Sequence, residues 1–119
     1  MTPRWSFTVA DRIRKRSEYQ RVYDQGRKIF SKSFVLFYLE NGFGRPRLGI
    51  TASRRAGGAV QRNRAKRLLR EWFRLSRGDL PPMDLVINAR EAIHRLDLEG
   101  LSLELKKAIQ RMPVQGQRA

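Results

Sequence analysis

Nine lysines and arginines and a single acid, Glu71, lie between Arg54 and Arg77. The pattern of Ala65, Leu68, Leu69, Trp72 and Phe73 predicts an amphipathic helix from about Ala59 to Ser76, with those residues as its buried stripe. At 100° per residue, Arg62, Lys66, Arg67, Arg70, Arg74 and Arg77 then fall within an arc of roughly 140° on the opposing side. A cationic stripe on a helix roughly 25 Å long can follow several phosphates. Arginine suits that task because its planar fork donates paired hydrogen bonds and keeps its charge. Asn63 sits among these cations and can both donate and accept, so it can read a base edge or a 2′-hydroxyl. Any one of these arginines is also compatible with plain solvated surface. Six on one face point to a polyanion.

A second group is aromatic. Tyr19 and Tyr23 are four residues apart and share a helix face, and Phe37 or Phe34 on a following strand can join them. Arg16, Arg21, Arg27, Lys28 and Lys32 are close in sequence. Rings beside cations suit single-stranded nucleic acid, where bases stack and phosphates pair. The competing reading is ordinary core. It is favoured for Phe34 and stands level for Tyr19 and Tyr23, whose hydroxyls suit an edge position.

No self-sufficient catalytic constellation accompanies these groups. His94 is the one histidine, and there is no cysteine, which excludes a thiol nucleophile, a thiolate zinc site and a disulfide framework. The carboxylates lack metal-ligand spacing, and Asp97 reads as a helix cap. Neither a P-loop nor a Gly-x-Gly-x-x-Gly motif occurs. Gly57-Gly58 reads either as an entry to the long helix or as part of a phosphate-binding turn.

The rest of the chain must position these groups. Its 119 residues suit one domain, spanning 1–119 with a core of about 12–111. The formal net charge is +15, more than solubility requires, and such an excess expects a polyanionic partner. It is uneven. Residues 1–32 carry nine basic and three acidic side chains, residues 33–78 eleven and two, and residues 79–119 six and six. No stretch approaches the ~20 apolar residues of a membrane span, and no secretory signal opens the chain. A cytoplasmic protein without a membrane partner is expected.

Residues 1–16 read as irregular, and residues 1–10 and 113–119 as ends that order on binding. Ser17 to Gln20 fits a capping box with Ser17 as N-cap. The helix it opens is expected to stop at Gly26 as a C′ glycine. Residues 29–40 read as one strand, with Phe34, Leu36 and Tyr38 on one side and Val35, Phe37 and Leu39 on the other. Asn41 to Gly44 is a turn, and residues 47–53 form a second strand that closes a hairpin. Gly78 is expected to end the long helix. Residues 84–89 are a central strand, and a last helix starts near Asp97 with Leu98, Leu101, Leu105, Ala108, Ile109 and Met112 as its core. The sum is an α+β sandwich of one sheet with helices packed on it.

The stretch Arg54 to Glu71, RRAGGAVQRNRAKRLLRE, resembles the signature of the bacterial ribonuclease P protein family. Its centre is Arg62-Asn63-Arg64, followed by Lys66-Arg67 and Arg70. Arg14 to Tyr23 resembles the family's first helix, Arg47 to Ile50 its second strand, and Asp84 to Arg90 its last strand, so the likeness covers about residues 12–111. The resemblance implies the order αβββαβα with a left-handed βαβ crossover, a fold shared with the second domain of a ribosomal protein. It also implies a protein subunit that binds a catalytic RNA, the two together removing the 5′ leader from precursor tRNA. The RNA would perform the hydrolysis with Mg2+, and the protein alone would hold neither metal nor cofactor. By position, the contacts to catalytic RNA fall on Arg54, Arg55, Arg62, Asn63, Arg64, Lys66, Arg67 and Arg70. Those to the leader fall on Tyr19, Tyr23 and Phe37, with Arg16 beside them. A basic ribosomal-type RNA-binding protein with no part in cleavage is the alternative. A DNA-binding regulator lacks a helix-turn-helix partner, and a stand-alone nuclease lacks the residues for it.

Overall fold

The computed structural model describes residues 9–112. Its elements are α1 (Arg16–Gln25), β1 (Arg27–Phe30), β2 (Phe34–Glu40), β3 (Arg47–Thr51), α2 (Ala59–Ser76), β4 (Met83–Ala89) and α3 (Leu98–Gln110), with short 3₁₀ turns at Val9–Asp11, Arg54–Ala56, Arg77–Asp79 and Glu91–Arg95. The order is αβββαβα, and the sheet runs β1-β2-β4-β3. β1 and β4 both pair antiparallel with β2, whereas β3 pairs parallel with β4. The β3–α2–β4 passage is therefore a parallel crossover.

Alternation along the strands builds two different faces. Phe34, Leu36 and Tyr38 of β2 and Leu85 and Ile87 of β4 are buried against Ala65, Leu69, Trp72 and Phe73 of α2 and Leu101 and Leu105 of α3. Each large side chain buried there contributes roughly 1.5–3 kcal/mol. On the other face, Val86 packs against Val22 of α1 and Ile13, with Tyr19, Tyr23, Phe37 and Leu39 around them. The expected division of the β2 side chains is the observed one, and Phe34 belongs wholly to the core.

Three expectations about the elements need correction. The single strand over residues 29–40 is two strands, broken at Ser31–Ser33. There Glu104 of α3 accepts hydrogen bonds from Ser33 N (2.9 Å) and Ser33 Oγ (2.8 Å) and from Ser31 Oγ. The hairpin joins β1 to β2, while β3 never pairs with β2 because β4 lies between them. α1 begins at Arg16, with Lys15 as its N-cap. The side chain that satisfies its first turn is Glu18, whose Oε1 accepts from the backbone N–H of both Arg14 and Lys15 at 3.1 Å.

Glycine placements differ in reason as well. Gly26 follows α1 as expected, but with an extended backbone. A Cβ there would lie 2.5 Å from the Val22 carbonyl and 2.6 Å from that of Tyr38, so close approach demands glycine. α2 ends at Ser76, before Gly78, and passes into the Arg77–Asp79 turn. Asp97 caps α3 as expected, accepting from Gly100 N at 2.8 Å. The expectation of ends that order on binding falls mostly outside the described residues; Val9–Asp11 are a 3₁₀ turn.

Candidate RNA interface

Register assembles the α1 side of the sheet row by row. β2, β4 and β3 align Leu39 with Asp84 and Arg47, Phe37 with Val86 and Gly49, and Val35 with Asn88 and Thr51. α1 lies over these rows. The Tyr19 ring rests on Gly49, where a Cβ would come within 2.8 Å of its Cε1, and its hydroxyl accepts from Ile50 N at 3.3 Å. Burial pushes the Tyr19 pKa up. The Tyr23 and Phe37 rings meet edge to face with centroids 4.8 Å apart, and the Tyr23 hydroxyl donates to Asn88 Oδ1 at 3.2 Å. Both tyrosines and Phe37 are half-buried. The structure thus brings the three predicted aromatic residues together on the α1 side of the sheet, in one cluster with Val22, Val86 and Ile13. Arg16 is exposed at the start of α1, one turn before Tyr19.

The polar groups beneath α1 were missed in the sequence. Asp84 is buried, and Arg47 grips it with two hydrogen bonds of 2.8 Å, from Nε to Oδ1 and from Nη2 to Oδ2. Arg47 also reaches Glu18 at 3.1 Å. Asn88 accepts from both Tyr23 and Thr51. Alternation within DLVINA carries the only available signal, since Asp84, Val86 and Asn88 share a face.

The second surface is α2 with the turn that precedes it. Gly57 has φ of +126°, and a Cβ there would lie 2.9 Å from His94 Nε2. Gly58 is the N-cap of α2, and its N–H donates to Gln61 Oε1 at 3.2 Å. Gly57-Gly58 is therefore the entry to the helix, shaped at Gly57 by a conformation that favours glycine. His94 has a structural place, its Nε2 against the Ala56 carbonyl, which ties the Arg54–Ala56 turn to the turn after β4. Arg54, Arg55, Asn63, Arg64, Arg67 and Arg70 are exposed, and Arg62 and Lys66 partly so.

Two members of the predicted stripe are otherwise engaged. Arg74 is ion-paired with Glu71 one turn earlier, and Arg77 pairs with buried Asp11 at 2.5 Å. Arg64 donates to the Leu96 carbonyl at 2.9 Å. The open cationic surface is thus the first two-thirds of α2 with Arg54 and Arg55. Arg62 Nε is buried and has no hydrogen-bond partner among the described residues. The two surfaces meet: a groove of about 280 Å3 is lined by Tyr19 and Ile50 on one side and Lys66 and Arg70 of α2 on the other. Among the described residues, no group of three or more histidine, aspartate and glutamate side chains is placed to hold a metal ion, and no helix is long and apolar enough to cross a membrane.

A sequence model of the ribonuclease P family matches residues 7–113. The chain belongs to the bacterial ribonuclease P protein family. The ribonuclease P protein component of Oleidesulfovibrio alaskensis is 44% identical over 97 residues, which cover 79% of this chain and 75% of that one. That of Coxiella burnetii is 34% identical over 114 residues, 95% and 94% of the two chains. The solved ribonuclease P protein of Thermotoga maritima superposes with a TM-score of 0.77 at 30% identity, covering 87% of this chain and 98% of that one. As a ribonuclease P protein component, the chain is part of a ribonucleoprotein endoribonuclease of tRNA processing and has an RNA subunit as its partner.

Proposed function

We propose that the protein divides its two surfaces between two RNAs. The Arg54–Arg55 turn and the open face of α2 (Arg62, Asn63, Arg64, Lys66, Arg67 and Arg70) dock on the catalytic RNA. The cleft of Tyr19, Tyr23 and Phe37, with Arg16 at its mouth, holds the single-stranded 5′ leader of precursor tRNA. The RNA performs the hydrolysis with Mg2+, and the protein supplies binding and charge neutralisation.

One observation carries this: half-buried Tyr19, which packs in one cluster with Tyr23 and Phe37, lines a groove whose other wall is Lys66 and Arg70 of the basic helix. Stacking is tolerant of base identity, which suits a subunit that must accept many leaders. Arg62 supports the docking half. A buried N–H without a partner costs about 1–3 kcal/mol, a cost removed if the partly exposed Arg62 side chain shifts to meet an RNA phosphate on that face. The test is binding of precursor and mature tRNA to the complex assembled with a bacterial ribonuclease P RNA. The protein is expected to tighten precursor binding and leave mature tRNA unchanged. Equal tightening of both would overturn the leader assignment.

A further inference from the structure

The turn from β2 to β3 carries an aromatic side chain that no packing requires. Phe43 is 60% exposed, yet it is held in place. Gly42 and Gly44 on either side both have φ of +75°, the region glycine enters without a Cβ penalty. Asn41 Oδ1 accepts from Phe43 N at 2.9 Å, and Asn41 Nδ2 donates to the Arg45 carbonyl and to buried Asp84. The Arg47 guanidinium lies 4.5 Å from the centre of the Phe43 ring and is itself locked by Asp84 and Glu18. A cation with a fixed position thus orients the ring, which stays open to solvent.

The surroundings are cationic. A pocket of about 660 Å3 beside Phe43 is lined by Arg12, Arg14, Lys15 and Arg45 as well as Arg47. Its one acid, Glu18, is occupied by the Arg14 and Lys15 backbone N–H groups and by Arg47. This pocket shares Arg12 and Arg14 with the groove at Tyr19. It has no wall from α2, whereas the Tyr19 groove does, so it lies on the side away from the basic helix.

We infer that Phe43, with Arg12, Arg14, Lys15 and Arg45, is a second stacking site for single-stranded RNA, and that it takes leader nucleotides farther from the cleavage point than those at Tyr19, Tyr23 and Phe37. The inference rests on the leader reading and extends it: nucleotides nearest the catalytic RNA lie nearest α2, and a longer leader runs on past Arg12 and Arg14 to Phe43. A ring already oriented by Arg47 loses little freedom when a base stacks on it.

The test uses the protein assembled with its RNA and precursors whose leaders are shortened one nucleotide at a time. Phe43→Ala is expected to weaken binding of the longest leaders by about five-fold or more. That defect should vanish below a threshold length at which Tyr23→Ala still weakens binding, and Phe43→Trp should restore affinity. Because Phe43 is exposed, its loss should cost only the Arg47 contact and leave the protein fully folded at the temperature of the binding assay. Full affinity of Phe43→Ala for every leader overturns the inference. So does a defect shared by mature tRNA, or one in assembly with the catalytic RNA, which would assign this face to the RNA subunit. If Tyr23→Ala has no effect and Phe43→Ala still shows its length-dependent defect, the cleft assignment falls and the Phe43 site stands.

Discussion

Tyr23 has two attachments that can be separated by mutation. Its ring meets Phe37 and its hydroxyl donates to Asn88. Tyr23→Ala removes both, and leader binding should weaken by about 1–3 kcal/mol if one base stacks there. Tyr23→Phe keeps the ring. It should hold leader affinity within about two-fold and cost roughly 1 kcal/mol of stability. Titrating fluorescent precursor and mature tRNA against the two variants checks this, and mature tRNA should bind both like the parent. The pairing of Tyr19 with Tyr23 was legible because it depends only on helix spacing. The contribution of Gly49, which makes room for the Tyr19 ring, was not. Nor were those of Asp84 and Asn88, because each depends on which strand lies beside β4, a contact between distant parts of the chain.

At the scale of elements, α2 and α3 were legible nearly to the residue, since a long apolar stripe with glycine, proline or aspartate at its ends leaves few alternatives. The hairpin was misread for a physical reason. Apolar alternation in residues 47–51 is the same whether the strand pairs with β2 or β4, and only the insertion of β4 decides. The start of α1 was misplaced by a plausible Ser17 cap, whereas Glu18 supplies the hydrogen bonds. Those bonds, that to the Lys15 N–H first, with help from Arg47, draw the Glu18 pKa from 4.5 down to about 2. Its lowered pKa means that Glu18 stabilises the fold fully above pH 4.5 and progressively less as the pH falls towards 2. Glu104 is lowered as well; burial raises it, but the bonds from Ser31 and Ser33 outweigh that. Chemical denaturation across pH 2–6 should therefore show a smaller acid loss for Glu18→Gln than for the parent, with part of the loss remaining through Glu104. The two proteins should differ most above pH 4.5.

For the whole molecule, charge and geometry separate arginines that composition treats alike. The formal +15 is spread over the first two-thirds of the chain, but pairing with buried Asp84 and Asp11 takes Arg47 and Arg77 out of the surface available to RNA, and Glu71 offsets Arg74 on the helix surface. Binding to the catalytic RNA should weaken with salt, each neutralised phosphate adding roughly 0.7–0.9 to the log–log slope. Arg67→Ala should make that slope shallower by about 1. Arg77→Ala should leave the slope unchanged and instead lower the melting temperature, because it removes the guanidinium paired with buried Asp11. On the reading proposed above, the RNA subunit performs the hydrolysis and this protein makes it effective. The most direct measurement is cleavage of a precursor tRNA at low magnesium by a bacterial ribonuclease P RNA, with and without the protein, beside the protein alone. Correct 5′ maturation that needs both components, with no cleavage by the protein alone, is the predicted result. Cleavage by the protein alone, or RNA binding that never changes cleavage, would contradict it.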